Sequence, residues 1–148
     1  MDDQQTDFRY KFFDRLGRPL REVEAKSRKY DNIIVAEYIT LNGRFVPISE
    51  TATLKKENHV KILDILKFAE SLPPGRSGKE YSEPDDIYDG HDAMFWFTDD
   101  KQTKEISIYE LGDFRNNLDK ANEKTRLLLE IVDKMNVVLL KYNAEILL

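Results

Sequence analysis

Apolar and polar positions along the chain follow two periods, and the switches between them mark out its elements. Phe8, Tyr10 and Phe12 alternate with Arg9 and Lys11, the period of two of a half-buried strand. Leu16-Gly17-Arg18-Pro19 breaks the alternation, so a strand is predicted over Phe8–Phe13. Residues 20–30 scatter Leu20, Val23 and Tyr30 among charges without a clean period, and no element is assigned there. Residues 32–41 and 44–48 are two β-rich runs separated by Asn42-Gly43. That dipeptide predicts a hairpin, because the two-residue type I′ turn needs positive φ at both central positions. Pro47 cannot donate a ladder hydrogen bond, which places the second strand at a sheet edge.

The period then lengthens. Val60, Leu63 and Leu66, with Ile62, Ile65, Ala69 and Leu72, predict an amphipathic helix over residues 54–71, ended by Pro73-Pro74-Gly75. Residues 75–92 are rich in Gly, Ser, Pro and acids and read as a long acidic loop. A second hairpin follows, with strands at 93–97 and 103–109. Its first strand carries Phe95 and Phe97 on one face and Met94 and Trp96 on the other, so it is expected to be a central strand covered on both sides. The longest periodic stretch is 117–142, where Leu118, Ala121, Thr125, Leu128, Val132, Met135, Leu139 and Tyr142 recur at spacings of three and four. It predicts a helix of about 39 Å with an Asn or Asp cap near Asn116-Asn117. Leu127, Leu129, Ile131 and Val138 widen its stripe beyond a coiled-coil seam, which favours packing on a sheet.

These elements predict one α+β domain over residues 1–148, with residues 1–7 as a disordered start. An antiparallel sheet of about five strands, from two hairpins plus an N-terminal strand, packs against two helices that include the long C-terminal one. Hairpin followed by helix, twice over residues 32–142, resembles in layout the small bacterial ββαββα domains, some of which serve as immunity proteins against toxins. The resemblance rests on element order and carries no functional residue across.

Composition narrows the chemistry. The 148 residues contain no cysteine, which removes disulfides, thiolate catalysis and thiolate zinc sites. The N-terminus is polar and acidic, and no apolar run approaches the eighteen or so residues that cross a bilayer. The expected setting is cytoplasmic, with no membrane partner. The net charge of −5 argues against nucleic acid as a partner. Eight bases crowd residues 9–29, and eight acids against Lys79 alone crowd residues 79–100. The basic stretch is expected to be a charged strand face offset by the acidic loop.

The candidate chemistry lies in Asp85-Asp86-Ile87-Tyr88-Asp89-Gly90-His91-Asp92. Four carboxylates, an imidazole and a glycine could hold a hard cation, with Asp85, Asp89, His91 and Asp92 as ligands. Ile87 stands where a calcium loop needs its third-position ligand. His91 could act as a general base, but no nucleophile motif accompanies it. Gly75-Arg76-Ser77-Gly78-Lys79 follows a helix and opens an acidic loop, the wrong context for a phosphate loop. The expected function is therefore a non-enzymatic, cofactor-free binding protein, inhibitor-like or immunity-protein-like. Its acidic loop would meet a basic surface on another protein through Asp85, Asp86, Asp89 and Asp92, with Tyr81 and Tyr88 as aromatic anchors. The alternative is a metal-dependent hydrolytic or ligand-binding domain. The chain is expected to be a monomer, or a homodimer through its C-terminal helix.

Overall fold

The computed structural model describes residues 7–26, 32–84, 90–99 and 102–142. Strands β1 (Phe8–Phe13), β2 (Pro19–Lys26), β3 (Asn32–Leu41) and β4 (Arg44–Thr53) run as an antiparallel meander. Helix α1 (Lys56–Phe68) and a 3₁₀ turn at Ala69–Ser71 then carry the chain to the opposite edge of the sheet. There the two-residue β5 (Gly75–Arg76) lies parallel to β7 (Thr103–Tyr109), which forms a hairpin with β6 (Asp92–Thr98). Two 3₁₀ turns, Leu111–Arg115 and Leu118–Lys120, lead to α2 (Glu123–Leu140). The strand order is β4-β3-β2-β1-β6-β7-β5, so β1 sits at the centre, paired with β2 on one side and β6 on the other.

The pleat sorts side chains onto two faces. Register places Phe8, Tyr10, Val23, Ala25, Ile33, Phe95, Phe97, Ile106 and Ile108 on one face. All of them are buried in a single core with Ile62 and Ile65 of α1 and Leu128, Val132, Met135 and Leu139 of α2. The helices are tied at one end by Tyr142, whose hydroxyl accepts from the Lys55 backbone N–H (3.0 Å) and the Asn58 amide (2.9 Å). Among the described residues, no helix packs on the other sheet face.

Several expectations are met in detail. Asn42 and Gly43 have φ of 53° and 77°, the type I′ geometry that admits glycine without strain. β4 is an edge strand. Its register with β3 starts at the Leu41–Arg44 pair beside the turn, so alternate residues from Phe45 on, Pro47 among them, point their backbone groups away from β3. Proline there forfeits no ladder bond.

The structure also corrects three expectations. The sheet has seven strands and is mixed, where about five antiparallel strands were expected. Much of the difference is β2, whose alternation sends Val23 and Ala25 into the core and Glu22 and Glu24 to the open face. β6 is covered on one side only: Ala93, Phe95 and Phe97 are buried, while Met94 and Trp96 are half-buried on the open face. α2 starts at Glu123, not near residue 117, and its 18 residues span about 27 Å. The cap is Asn122, whose side chain accepts from the Thr125 backbone N–H at 2.9 Å.

Candidate functional site

The acidic segment is fastened to the scaffold at both ends. On its near side, Ser77 donates its backbone N–H to the Ser107 carbonyl (3.0 Å), and its hydroxyl accepts from the Tyr109 backbone N–H (2.9 Å). Tyr81 is 1% exposed and gives its hydroxyl hydrogen to the Pro73 carbonyl at 2.7 Å. Ser82 donates its N–H to the Thr125 hydroxyl (2.8 Å), and the Asn122 amide donates to the Glu80 carbonyl (3.0 Å). One residue, Asn122, thus caps α2 and holds the loop's entry.

On its far side, Gly90 donates its N–H to the Tyr109 hydroxyl at 2.8 Å. A Cβ there would collide with the Tyr109 ring and the Glu110 side chain, so only glycine permits this approach. The His91 backbone N–H donates to the Glu110 carboxylate, and the Glu110 backbone N–H donates to the His91 carbonyl at 2.8 Å. The His91 ring lies flat on Phe12, with centroids 5.1 Å apart, and Nδ1 is 3.4 Å from Glu110 Oε1. Asp92 opens β6 opposite Phe13 and Tyr109. Burial pushes its carboxyl above the usual carboxylate range and the charge of Glu110 adds to this, with His91 working against both.

Asp85, Asp86, Tyr88 and Asp89 lie outside the described residues. His91 and Asp92 are brought together beside Glu110 at the loop's exit. Among the described residues no three metal-ligating side chains converge. Tyr81 is corrected from a surface anchor to a core side chain, since a ring with 1% of its surface exposed has nothing to offer a partner. Glu110, Tyr109 and Phe12 complete the exit, and no sequence pattern near 85–92 signals them. Their link to it is the antiparallel register that sets Asp92 against Tyr109 and Phe13.

The open sheet face carries a cross-strand ladder. Arg9 donates to Glu22 (3.0 Å) and lies 3.6 Å from Glu24. Its guanidinium sits 5.4 Å from the Trp96 ring centroid, and the indole N–H donates to Glu105 at 2.8 Å. Tyr38 gives its hydroxyl hydrogen to Glu22 at 3.2 Å, and Lys11 comes within 3.9 Å of the same carboxylate. The bases of β1 are therefore offset by Glu22 and Glu24 of the neighbouring strand, where the acidic loop was expected to do it.

No protein-family model matches the chain, and no curated protein is found similar to it. No helix among the described residues is long and apolar enough to cross a membrane.

Proposed function

We propose that the chain is a non-enzymatic acidic binding module, inhibitor-like or immunity-protein-like, that meets a basic surface on another protein through its 80–92 segment. The observation that carries this reading is the double fastening of that segment. Its entry is hydrogen-bonded to α2 and its exit to β7 and the turn after it. Acids held between two fixed points lose less freedom on binding than acids on a free tail. Six carboxylates, Glu80, Glu83, Asp85, Asp86, Asp89 and Asp92, occur within this stretch. Backbone N–H groups of Glu80 itself and Arg76 hold the Glu80 carboxylate below its usual range. Such a surface steers a cationic partner and sets salt-dependent encounter rates. With Tyr81 in the core, Tyr88 is the aromatic anchor that remains from the sequence reading.

The test is titration of a nona-arginine peptide into the protein, followed by calorimetry. Binding should weaken about tenfold or more when Asp85, Asp86, Asp89 and Asp92 are all changed to Asn, and should weaken further with added salt. Equal affinity for the wild type and the fourfold variant would sink the proposal. The metal-dependent alternative, through Asp85, Asp89, His91 and Asp92, predicts instead that a divalent cation raises the melting temperature.

A further inference from the structure

The outer groove between the two helices is apolar at its floor and basic at its rim. α1 and α2 run antiparallel: Tyr142 meets Lys55 and Asn58 at one end, and the Lys134 ammonium lies 4.0 Å from the Phe68 ring centroid at the other. Between these ties Ile65, Phe68 and Val137 line a groove of about 300 Å³, flanked by Lys61, Lys134 and Asp64. Lys61 also lines the next hollow along α1, with Lys55, Lys56, Glu57 and Val60. Val60 and Val137 are 47% and 52% exposed, so both helices leave apolar surface in water beside the groove. Among the described residues no carboxylate pairs with Lys55, Lys56 or Lys61. α1 begins at Lys55 without a side-chain cap, and the dipole of its first turn favours an anion there.

We propose that this groove is the docking site of the chain's own residues 143–148, with Glu145 at the start of α1 and Ile146, Leu147 and Leu148 along the apolar floor. These six residues follow Tyr142 in the sequence and lie outside the described residues. Position argues for them first. Tyr142 is fixed at the mouth of the groove by its bonds to Lys55 and Asn58, so the segment starts beside the surface it would cover. Reach is ample: six extended residues span roughly 20 Å, whereas Lys134 lies about 11 Å from Lys141 along α2. Asn143, just past the helix end, tolerates the left-handed backbone that a reversal of direction takes.

Charge argues for them second. The two hollows carry Lys55, Lys56, Lys61 and Lys134 against Glu57 and Asp64, a local basic excess on a chain of net charge −5. Glu145 is the only charged side chain among the six residues, and it meets that excess at an uncapped helix start. Docking also removes three large apolar side chains from water, which no polar tail of the same length would gain.

Disulfide trapping in the full chain tests the proposal, because the sequence has no cysteine of its own. Val137→Cys with Leu147→Cys should close an intramolecular disulfide under copper–phenanthroline oxidation, read as a faster-running monomer on a non-reducing gel. Leu63→Cys with Leu147→Cys is the control. Leu63 is exposed and within the same reach, but it lines the opposite flank of α1 with Leu66 and Glu70, so this pair should close about tenfold more slowly. Val137 and Leu63 both lie at the surface, so neither change empties the core. Added to the groove pair, Glu145→Lys, and separately Lys55→Glu with Lys56→Glu, should each slow closure about threefold and leave the control pair unmoved. Equal rates for the two pairs, a disulfide-linked dimer in place of the closed monomer, or closure untouched by both charge reversals would each overturn the proposal.

Discussion

His91 and Glu110 hold each other by reciprocal hydrogen bonds, one to a side chain and one between backbones. The His91 N–H reaches the Glu110 carboxylate and the Glu110 N–H reaches the His91 carbonyl. Glu110 does this from the left-handed region, at φ 52° and ψ 47°, a conformation that costs a non-glycine residue on the order of 1 kcal/mol. Glu110→Ala removes the carboxylate, keeps the strained backbone, and should destabilise by about 1–3 kcal/mol in urea unfolding. Glu110→Gly removes both and should lose less than the alanine variant. The opposite order would mean that the left-handed backbone at this position carries no strain for glycine to relieve.

Asp92 gives the exit a defined pH response. Its carboxyl is raised by burial first and by Glu110 second, so the folded chain holds this proton more tightly than the unfolded chain does. Stability from this group is therefore present below the ordinary carboxylate range and declines as pH climbs through the raised value. Asp92→Asn should match the wild type in melting temperature near pH 3.5 and exceed it at pH 7. A gap that is constant with pH would assign the effect to packing.

Tyr81 separates core from surface. Tyr81→Ala should cost about 3–5 kcal/mol, whereas Tyr81→Phe should lose about 1 kcal/mol with the bond to Pro73. A well-folded Tyr81→Ala protein with weakened nona-arginine binding would restore Tyr81 as an anchor.

Asn122 does two jobs, so its removal has two readouts. Asn122→Ala should lower stability by about 1 kcal/mol through the lost cap. It should also speed amide hydrogen exchange at Ser82, because the Glu80 carbonyl at the loop's entry loses the amide donor of Asn122. Asn122→Asp keeps the cap acceptor and loses the donor to Glu80, so it should show the exchange effect while retaining most of the stability.

Divalent metal distinguishes the two functional readings. The binding-module reading expects no change in melting temperature with millimolar magnesium, manganese, calcium or zinc. A rise of several degrees with one of them, abolished in the Asp89→Ala and His91→Ala double variant, would favour the metal-dependent reading by mass action.

Sequence pattern reached furthest where the deciding contacts are local. Asn42-Gly43, Pro47 and the alternation of Phe8, Tyr10 and Phe12 are short-range signals, and the hairpin, the edge position and β1 all follow from them. β2 was hidden because its open-face residues, Glu22 and Glu24, are charged and Arg21 shares the covered face with Val23. An alternation of charge against small apolar residues looks aperiodic until a neighbouring strand supplies Arg9. The α2 boundary was misplaced because Leu118 and Ala121 keep a helical spacing while lying in a 3₁₀ turn and an extended link. The site was legible only as a segment. Its fastenings, Glu110, Tyr109 and Thr125, are distant in sequence, and nothing in their own surroundings points to residues 80–92.

The central place of β1 has a consequence for how the molecule assembles. β1 to β4 can pair as they emerge from the ribosome, each strand meeting the one just made. The other edge of β1 must wait for β6, roughly eighty to ninety positions later, a closure whose chain entropy opposes it and slows folding. α1 follows β4 and α2 follows β7, and the two helices together supply the cover. Until both helices are in place, the nascent meander carries Phe8, Tyr10, Val23 and Ile33 incompletely covered on one side. The interval between synthesis of the fourth strand and docking of α2 is thus when this protein is most open to aggregation and most in need of a chaperone.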